Sequence, residues 1–307
     1  MSKQTVICVF PPFAIYVLSR ILRSNRSLTS KLIELVKIAT AVVLTTALLL
    51  YPLLVTNSVP DMMNRVFPPY RRIMEEISPS FWNLVNAVKR IRYVDPLSSF
   101  GFILKVLALA LTATAVIPGF LALALNPTKR RFLLAIQISS LSAFLFGYCI
   151  HSKALIYALV PMHLSVFDYD DSSLFLSLLA SFPTARFIYF WCEADVHYLV
   201  FFSVVAPLYF ALNRSLPHCN PLPSTPLLPS SFSQLFNRKY LMSFLQSLRK
   251  VQLAFILLVI LILEICEATL TKPESQPGIF IAISHVLLFF HFLPALLLMN
   301  FKIWESK

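Results

Sequence analysis

Apolar residues run along this chain in blocks too continuous for half-buried strands or surface helices, with short basic connections between them. A helix needs about 20 apolar residues to cross a hydrocarbon core. The blocks Val6–Leu22, Ile38–Val55, Phe102–Leu125, Phe132–Ile150, Leu199–Leu212, Val251–Leu270 and Ile279–Met299 reach or approach that length. Two more, Ala154–Phe167 and Leu174–Phe190, are short or broken by Pro183 and read as half-helices or tilted spans. Internal prolines such as Pro118, Pro161, Pro207 and Pro294 fit this picture, because neighbouring helices can satisfy the carbonyls that proline frees. The pattern predicts an all-α polytopic membrane bundle of about seven to nine spans, residues 1–307 forming one transmembrane domain.

Composition agrees with the pattern. The chain is 58% hydrophobic and only 13% charged, with a mean hydropathy of +0.75, whereas a soluble domain is about a quarter charged. The net charge of +12 would suggest nucleic acid in a soluble protein. Here the basic residues sit between apolar runs, where the positive-inside rule explains them, and no nucleic-acid partner is expected. Five widely spaced cysteines without a Cys-x-x-Cys pair predict neither a disulfide nor a zinc site. No removable signal peptide is predicted at the N-terminus.

Lys and Arg concentrate after the first block (Arg20, Arg23, Arg26, Lys31, Lys37), after the third (Lys129, Arg130, Arg131) and along 213–250 (Arg214, Arg238, Lys239, Arg249, Lys250). Those connections are predicted to be cytoplasmic. If both short blocks cross, simple alternation puts the segment 57–99, His151–Lys153, Trp191–His197 and Thr271–Gly278 on the lumenal side. In 57–99 apolar residues recur at near-helical spacing among Arg65, Arg71, Arg72, Lys89, Arg90 and Arg92, which predicts interfacial helices broken near Pro68-Pro69 and Pro79. The loop 213–250 contains the Pro-rich run Pro217–Pro229 and reads as extended.

Candidate chemistry is sparse. His151 and Lys153 interrupt a long apolar stretch, and ionisable residues at such a place face a wet cavity or a partner. Two apart, they converge only if the helix ends there. They then bind an anion; the alternative is a snorkelling lysine beside an interfacial histidine. Arg65, Arg71 and Arg72 could clamp a phosphate or simply be drawn to lipid headgroups. Glu193, Asp195 and His197 match no strong metal spacing and read as a solvated turn. Glu264 and Glu267 share a helix face, and His285 and His291 do not. With four glycines in the chain there is no Gly-rich phosphate loop. No inverted repeat of the kind a transporter would show is visible.

Four segments carry a resemblance. Phe144-Leu145-Phe146-Gly147-Tyr148-Cys149-Ile150-His151-Ser152-Lys153-Ala154-Leu155-Ile156 resembles the signature of the endoplasmic-reticulum glucosyltransferases that use dolichyl-phosphate glucose. In that family an aromatic-rich helix ends in a His-x-His-Glu-Lys-(Ala/Ser)-Ile-Leu type run. His151, Lys153, Ala154 and Leu155 fit, while Cys149 and Ser152 stand where the family has His and Glu. Upstream, Arg65-Val66-Phe67-Pro68-Pro69-Tyr70-Arg71-Arg72 and Phe81-Trp82-Asn83-Leu84-Val85-Asn86 are similar to two segments of the member that adds the second glucose. Phe10–Leu18 is similar to a mid-chain helix of these enzymes, so the resemblance covers nearly the whole chain.

The resemblance implies a bundle of the GT-C type in the endoplasmic-reticulum membrane. Its substrates are dolichyl-phosphate glucose as donor and a dolichyl-pyrophosphate oligosaccharide as acceptor, joined in an α-1,3 linkage with inversion and without a cofactor or metal. It implies a catalytic role for His151 and substrate binding by Lys153, Arg65, Arg71 and Arg72. The first-glucose enzyme is the alternative within the family. A catalytically silent paralogue that binds lipid or scaffolds neighbours is the alternative outside it. The match is to the family's C-terminal part; the N-terminal part, with its acidic lumenal loop, has no counterpart before Met1.

Overall fold

The computed structural model describes residues 8–66, 70–73, 78–150, 152–155, 157–158, 160–161, 262 and 279–305. His151, the blocks Leu174–Phe190, Leu199–Leu212 and Val251–Leu270, the loop 213–250, and Glu193, Asp195 and His197 lie outside these residues, as does most of Ala154–Phe167. The chain divides into two units, Met1–Met162 with Leu293–Lys307, and His163–Phe292. The packing below is that of the first. Among the described residues there are helices and turns and no strand.

Helix α1 (Phe10–Arg23) opens on Pro11-Pro12, where a missing N–H costs nothing because the first turn has no acceptor for it. Its 14 residues make about 21 Å of helix, less than the hydrocarbon core requires. Helix α2 (Leu28–Val55) starts ten residues before the expected Ile38. The Ser27 side chain accepts from the Ser30 amide at 3.3 Å and caps it. Arg26 pairs with Glu34 at 2.5 Å across its first turns. Charged residues thus extend the helix beyond the apolar run without breaking it. No residue of α2 is buried.

Helices α3 (Val59–Val66) and α4 (Phe81–Lys89) occupy the long connection, followed by a 3-10 turn Ile91–Tyr93. The breaks fall where the prolines place them. Helix α3 stops before Pro68 and α4 starts after Pro79. Helix α5 (Ser99–Leu125) is capped by Ser98 and α6 (Lys129–Phe146) by Thr128, whose side chains accept from Gly101 N at 3.0 Å and Arg131 N at 3.3 Å. The C-terminal helix α7 spans Ile279–Glu305. Among the described residues three helices are long and apolar enough to cross a membrane: α2, α5 and the His285–Trp304 part of α7. This is a helical membrane protein.

Helices α5 and α6 form an antiparallel pair joined by the three residues Asn126–Thr128, with α1 against both. Lipid tails are as apolar as leucine, so contact between spans depends on close fit rather than on leaving water. The buried stripe of α5 accordingly contains Ala108, Gly119 and Ala122. A Cβ on Gly119 would stand 3.0 Å from Ile138 Cδ1 and 3.7 Å from Asn300 Oδ1, so α5, α6 and the end of α7 meet there.

The basic residues gather at one end of this pair. Arg23 Nε donates to Ala124 O at 3.1 Å, Arg131 Nη1 to Ala122 O at 2.9 Å, and Lys31 Nζ to Leu22 O at 2.7 Å. Each cation covers a last-turn carbonyl at the negative end of a helix dipole, Ala122 O also accepting from the Asn126 amide at 3.2 Å. The connection 57–98 and the exit of α6 lie at the other end.

Candidate functional site

Helix α6 ends four residues before the expected Ile150. Its last amide bond runs from Gly147 N to Ala143 O at 2.8 Å, and Gly147 then turns extended at ψ 157°. A Cβ there would sit 2.3 Å from Ala143 O and 2.8 Å from Ile150 Cγ1, so the tight exit has space only for glycine. Cys149 follows at φ 51°, a left-handed conformation that costs a non-glycine residue roughly 1–2 kcal/mol. The chain coils again in a 3-10 turn, Ser152–Leu155, which contains Lys153. The break that lets residues 151 and 153 leave a single helix is therefore present.

What holds this exit is the long connection. Trp82, 1% exposed, donates its indole N–H to Phe146 O at 2.8 Å. The Tyr148 hydroxyl donates to Arg71 O. Cys149 N donates to Ile73 O at 3.3 Å, which ties down the left-handed residue itself. Phe81 stands edge-on to Trp82 at 5.3 Å and tilted to Phe146 at 6.1 Å. Below them Ile73, Trp82, Ile91, Leu104 and Ala108 form one buried cluster. Burying Ile73 and Ile91 from the connection contributes roughly 1.5–3 kcal/mol each.

Consequently the two segments that stand out in the sequence form one structure. Arg71 and Ile73 are both pinned to Tyr148-Cys149, so Arg72, exposed between them, is carried beside the chain that leads to His151. Arg71 is half-buried and Arg65 is exposed in the last turn of α3. The structure brings Arg71 and Arg72 to the α6 exit; for Arg65 it gives no contact there. Ser78, Ser80 and Asn83, next to Trp82 in sequence, are also buried, and Asn83 Nδ2 has no hydrogen-bond partner among the described residues. No group of three or more His, Cys, Asp or Glu that could hold a metal ion forms among the described residues.

One residue at this place escapes a reading by apolar blocks. Lys105 is the sole charged side chain of α5. It is half-buried, and its ammonium lies 5.4 Å from the centroid of the Tyr148 ring, a cation–π distance. A lysine at the centre of a membrane helix costs about 2.5–3.5 kcal/mol, less towards an end, so its presence calls for a partner. The signal was available as a lone Lys in the block Phe102–Leu125; averaging over that block conceals it. Arg71, Arg72, Lys105 and Lys153 thus belong to elements that meet at a helix exit bordered by apolar spans. An anion on a long apolar tail matches such a place.

Residues 1–298 match the model of the ALG6, ALG8 glycosyltransferase family. Among curated relatives, a Caenorhabditis elegans protein named probable dolichyl pyrophosphate Man9GlcNAc2 alpha-1,3-glucosyltransferase is 30% identical over 170 residues, 55% of this chain and 32% of its own. The Mus musculus dolichyl pyrophosphate Glc1Man9GlcNAc2 alpha-1,3-glucosyltransferase is 28% identical over 216 residues, 57% of this chain and 40% of its own. The Gallus gallus dolichyl pyrophosphate Man9GlcNAc2 alpha-1,3-glucosyltransferase is 25% identical over 311 residues, 99% of this chain and 59% of its own. The matched stretch thus spans from about a third to three fifths of these relatives.

Proposed function

The chain belongs to the ALG6, ALG8 glycosyltransferase family, and on that premise we propose that it takes part in transferring glucose from dolichyl-phosphate glucose to a dolichyl-pyrophosphate oligosaccharide at the endoplasmic-reticulum membrane. The observation that supports this is the docking of Arg71–Ile73 and Trp82 on the α6 exit at Phe146–Cys149, the stretch that leads in sequence to His151 and Lys153. In an inverting transfer the acceptor hydroxyl oxygen bonds to C1 of glucose as the bond from C1 to the phosphate oxygen breaks. The hydroxyl proton passes to a base and the bonding pair leaves with dolichyl phosphate.

Cations and N–H donors that meet the developing phosphate charge lower this barrier because they are already oriented when the charge appears. Lys153, Arg65, Arg71 and Arg72 take that role, with His151 donating a hydrogen bond to the phosphate or to a sugar hydroxyl. The base on the acceptor hydroxyl belongs to a group outside this set, and the reaction uses no resident cofactor. The departure at Cys149 is compatible with the site, since the contact with Ile73 uses the backbone amide that any residue but proline has.

The Arg65–Arg72 and Phe81–Asn86 segments favour the second-glucose acceptor. The test supplies labelled dolichyl-phosphate glucose to membranes of cells that express the protein from its own gene, with Glc1Man9GlcNAc2 and Man9GlcNAc2 lipids offered separately. Label on the first supports the second-glucose reading. Label on the second alone makes it a first-glucose enzyme, and label on neither leaves a lipid-binding or scaffolding protein.

A further inference from the structure

We propose that Arg20, Arg23 and Lys129 bind the phosphate of an anionic phospholipid at the end of the bundle opposite the α6 exit, with an acyl chain of the lipid on the apolar face of α1. Residues 10–55 and 126–146, which hold α1, α2 and α6, carry eight Lys and Arg and one acid, Glu34, which Arg26 already engages at 2.5 Å. The first turn of α6 has Lys129, Arg130 and Arg131 and no acid, at the positive end of its own dipole. The helix thus adds to the excess charge instead of offsetting it. The positive-inside rule accounts for which end is basic, but it does not require cations from different helices to converge.

Here they do converge. Tyr16 of α1 stacks on Phe132 of α6 with ring centroids 4.6 Å apart, and Phe13 meets the same ring edge-on at 4.7 Å. Arg20 lies one turn beyond Tyr16, its guanidinium carbon 5.6 Å from that ring, and Lys129 lies one turn before Phe132. The aromatic stack therefore brings Arg20 and Lys129 to one rim, where Arg23 is fixed by its Nε bond to Ala124 O at 3.1 Å. Donors stay open on all three. Arg20 uses Nη1 on the Tyr16 hydroxyl at 3.4 Å, Arg23 uses Nε, and Lys129 makes no hydrogen bond or ion pair among the described residues. Towards the middle of α1, Val17 and Phe13 are exposed on the same face as Arg20. Cations above an open apolar stripe match a headgroup phosphate with an acyl chain beneath it. Free phosphate would leave the stripe uncovered.

The test uses the whole protein in detergent micelles, with Arg20→Gln/Lys129→Gln beside a charge-matched control at the other end, Lys89→Gln/Arg92→Gln. The pairs remove equal charge from exposed positions. Thermal stabilisation is titrated with phosphatidylserine, phosphatidylcholine, inorganic phosphate and dolichyl phosphate. We expect phosphatidylserine to stabilise the wild type most, with its affinity falling tenfold or more in Arg20→Gln/Lys129→Gln and less than threefold in the control. Arg20→Lys/Lys129→Arg, which keeps both charges, should stay within threefold of wild type; this variant and Lys129→Gln alone, expected to lose threefold or more, decide the matter if the double glutamine variant does not insert. An equal fall in both glutamine pairs, or no fall in Lys129→Gln, overturns the proposal, as does equal stabilisation by phosphatidylcholine. Inorganic phosphate as effective as phosphatidylserine overturns the lipid source. Dolichyl phosphate bound more tightly at this rim overturns it in favour of a second substrate-lipid site.

Discussion

The indole N–H of Trp82 donates to the carbonyl of Phe146 at 2.8 Å, across 64 residues of sequence. Phe146 is the last residue of α6, so the bond fixes where that helix ends and from which point the chain sets out towards His151. Trp82→Phe retains most of the ring and removes the donor. It should lower the stability of the detergent-solubilised protein by about 1 kcal/mol, the net worth of a hydrogen bond. Trp82→Ala also empties a buried ring site and should cost about 3–5 kcal/mol. Thermal unfolding should rank wild type above Trp82→Phe above Trp82→Ala; a phenylalanine variant as stable as wild type contradicts the role of the bond.

Gly147 tests the same exit through space rather than bonding. Its backbone angles suit any residue, so Gly147→Ala acts only through the Cβ, which would press on Ala143 O and Ile150. Relief requires the last turn of α6 to open, at about 1–3 kcal/mol, as for other overpacked sites. Amide exchange should quicken at Phe146 and Gly147 and stay unchanged in α5. Unaltered exchange at the α6 end would show that the turn has room to spare.

Tyr148→Phe separates the two contacts of that side chain, since the ring remains for Lys105 and the hydroxyl on Arg71 is lost. A lost hydrogen bond of about 0.5–1.5 kcal/mol corresponds to roughly a two- to thirteenfold change. Donor KM should rise by that factor while acceptor KM stays near wild type. An equal rise in both would assign Tyr148 to general folding.

The helices were legible in the sequence because a membrane demands long apolar runs; their starts were not, since the caps Ser27, Ser98 and Thr128 lie outside those runs. The start of α2 was misjudged for a physical reason. Hydropathy reports where lipid ends, whereas Lys31, Glu34 and Lys37 continue a helix in water with little penalty. The exit of α6 was half legible. The need for a break before Lys153 followed from helical geometry, but its place at Gly147 depends on a fit to Ala143 and Ile150. The docking of Arg71 on Tyr148, across 77 residues, could not be read from local pattern, because the acceptor is the Arg71 backbone carbonyl, which no side-chain pattern marks. Lys105 was lost to averaging.

Sidedness has its own test, which the sequence supplies. Asn25-Arg26-Ser27 lies in the turn between α1 and α2, at the basic end where Arg23 and Lys31 cover helix carbonyls, and Asn213-Arg214-Ser215 is a second acceptor. If that end faces the cytoplasm, neither site is glycosylated, while an acceptor engineered near Ser275 is. The readout is a glycosidase-sensitive gel shift. A shift at Asn25 would turn the α6 exit to the cytosol, away from a lumenal donor.

The central claim is that the α6 exit and its docked connection form the phosphate site of a glucosyl transfer. The most direct measurement is glucose incorporation from dolichyl-phosphate glucose by membranes carrying the wild type, His151→Ala or Lys153→Ala at equal protein level. Removing one preorganised charge stabiliser typically lowers turnover by about 10²–10³-fold. The account predicts transfer by the wild type and a loss of that order in both variants, with membrane insertion intact. Wild-type rates in both variants would contradict it.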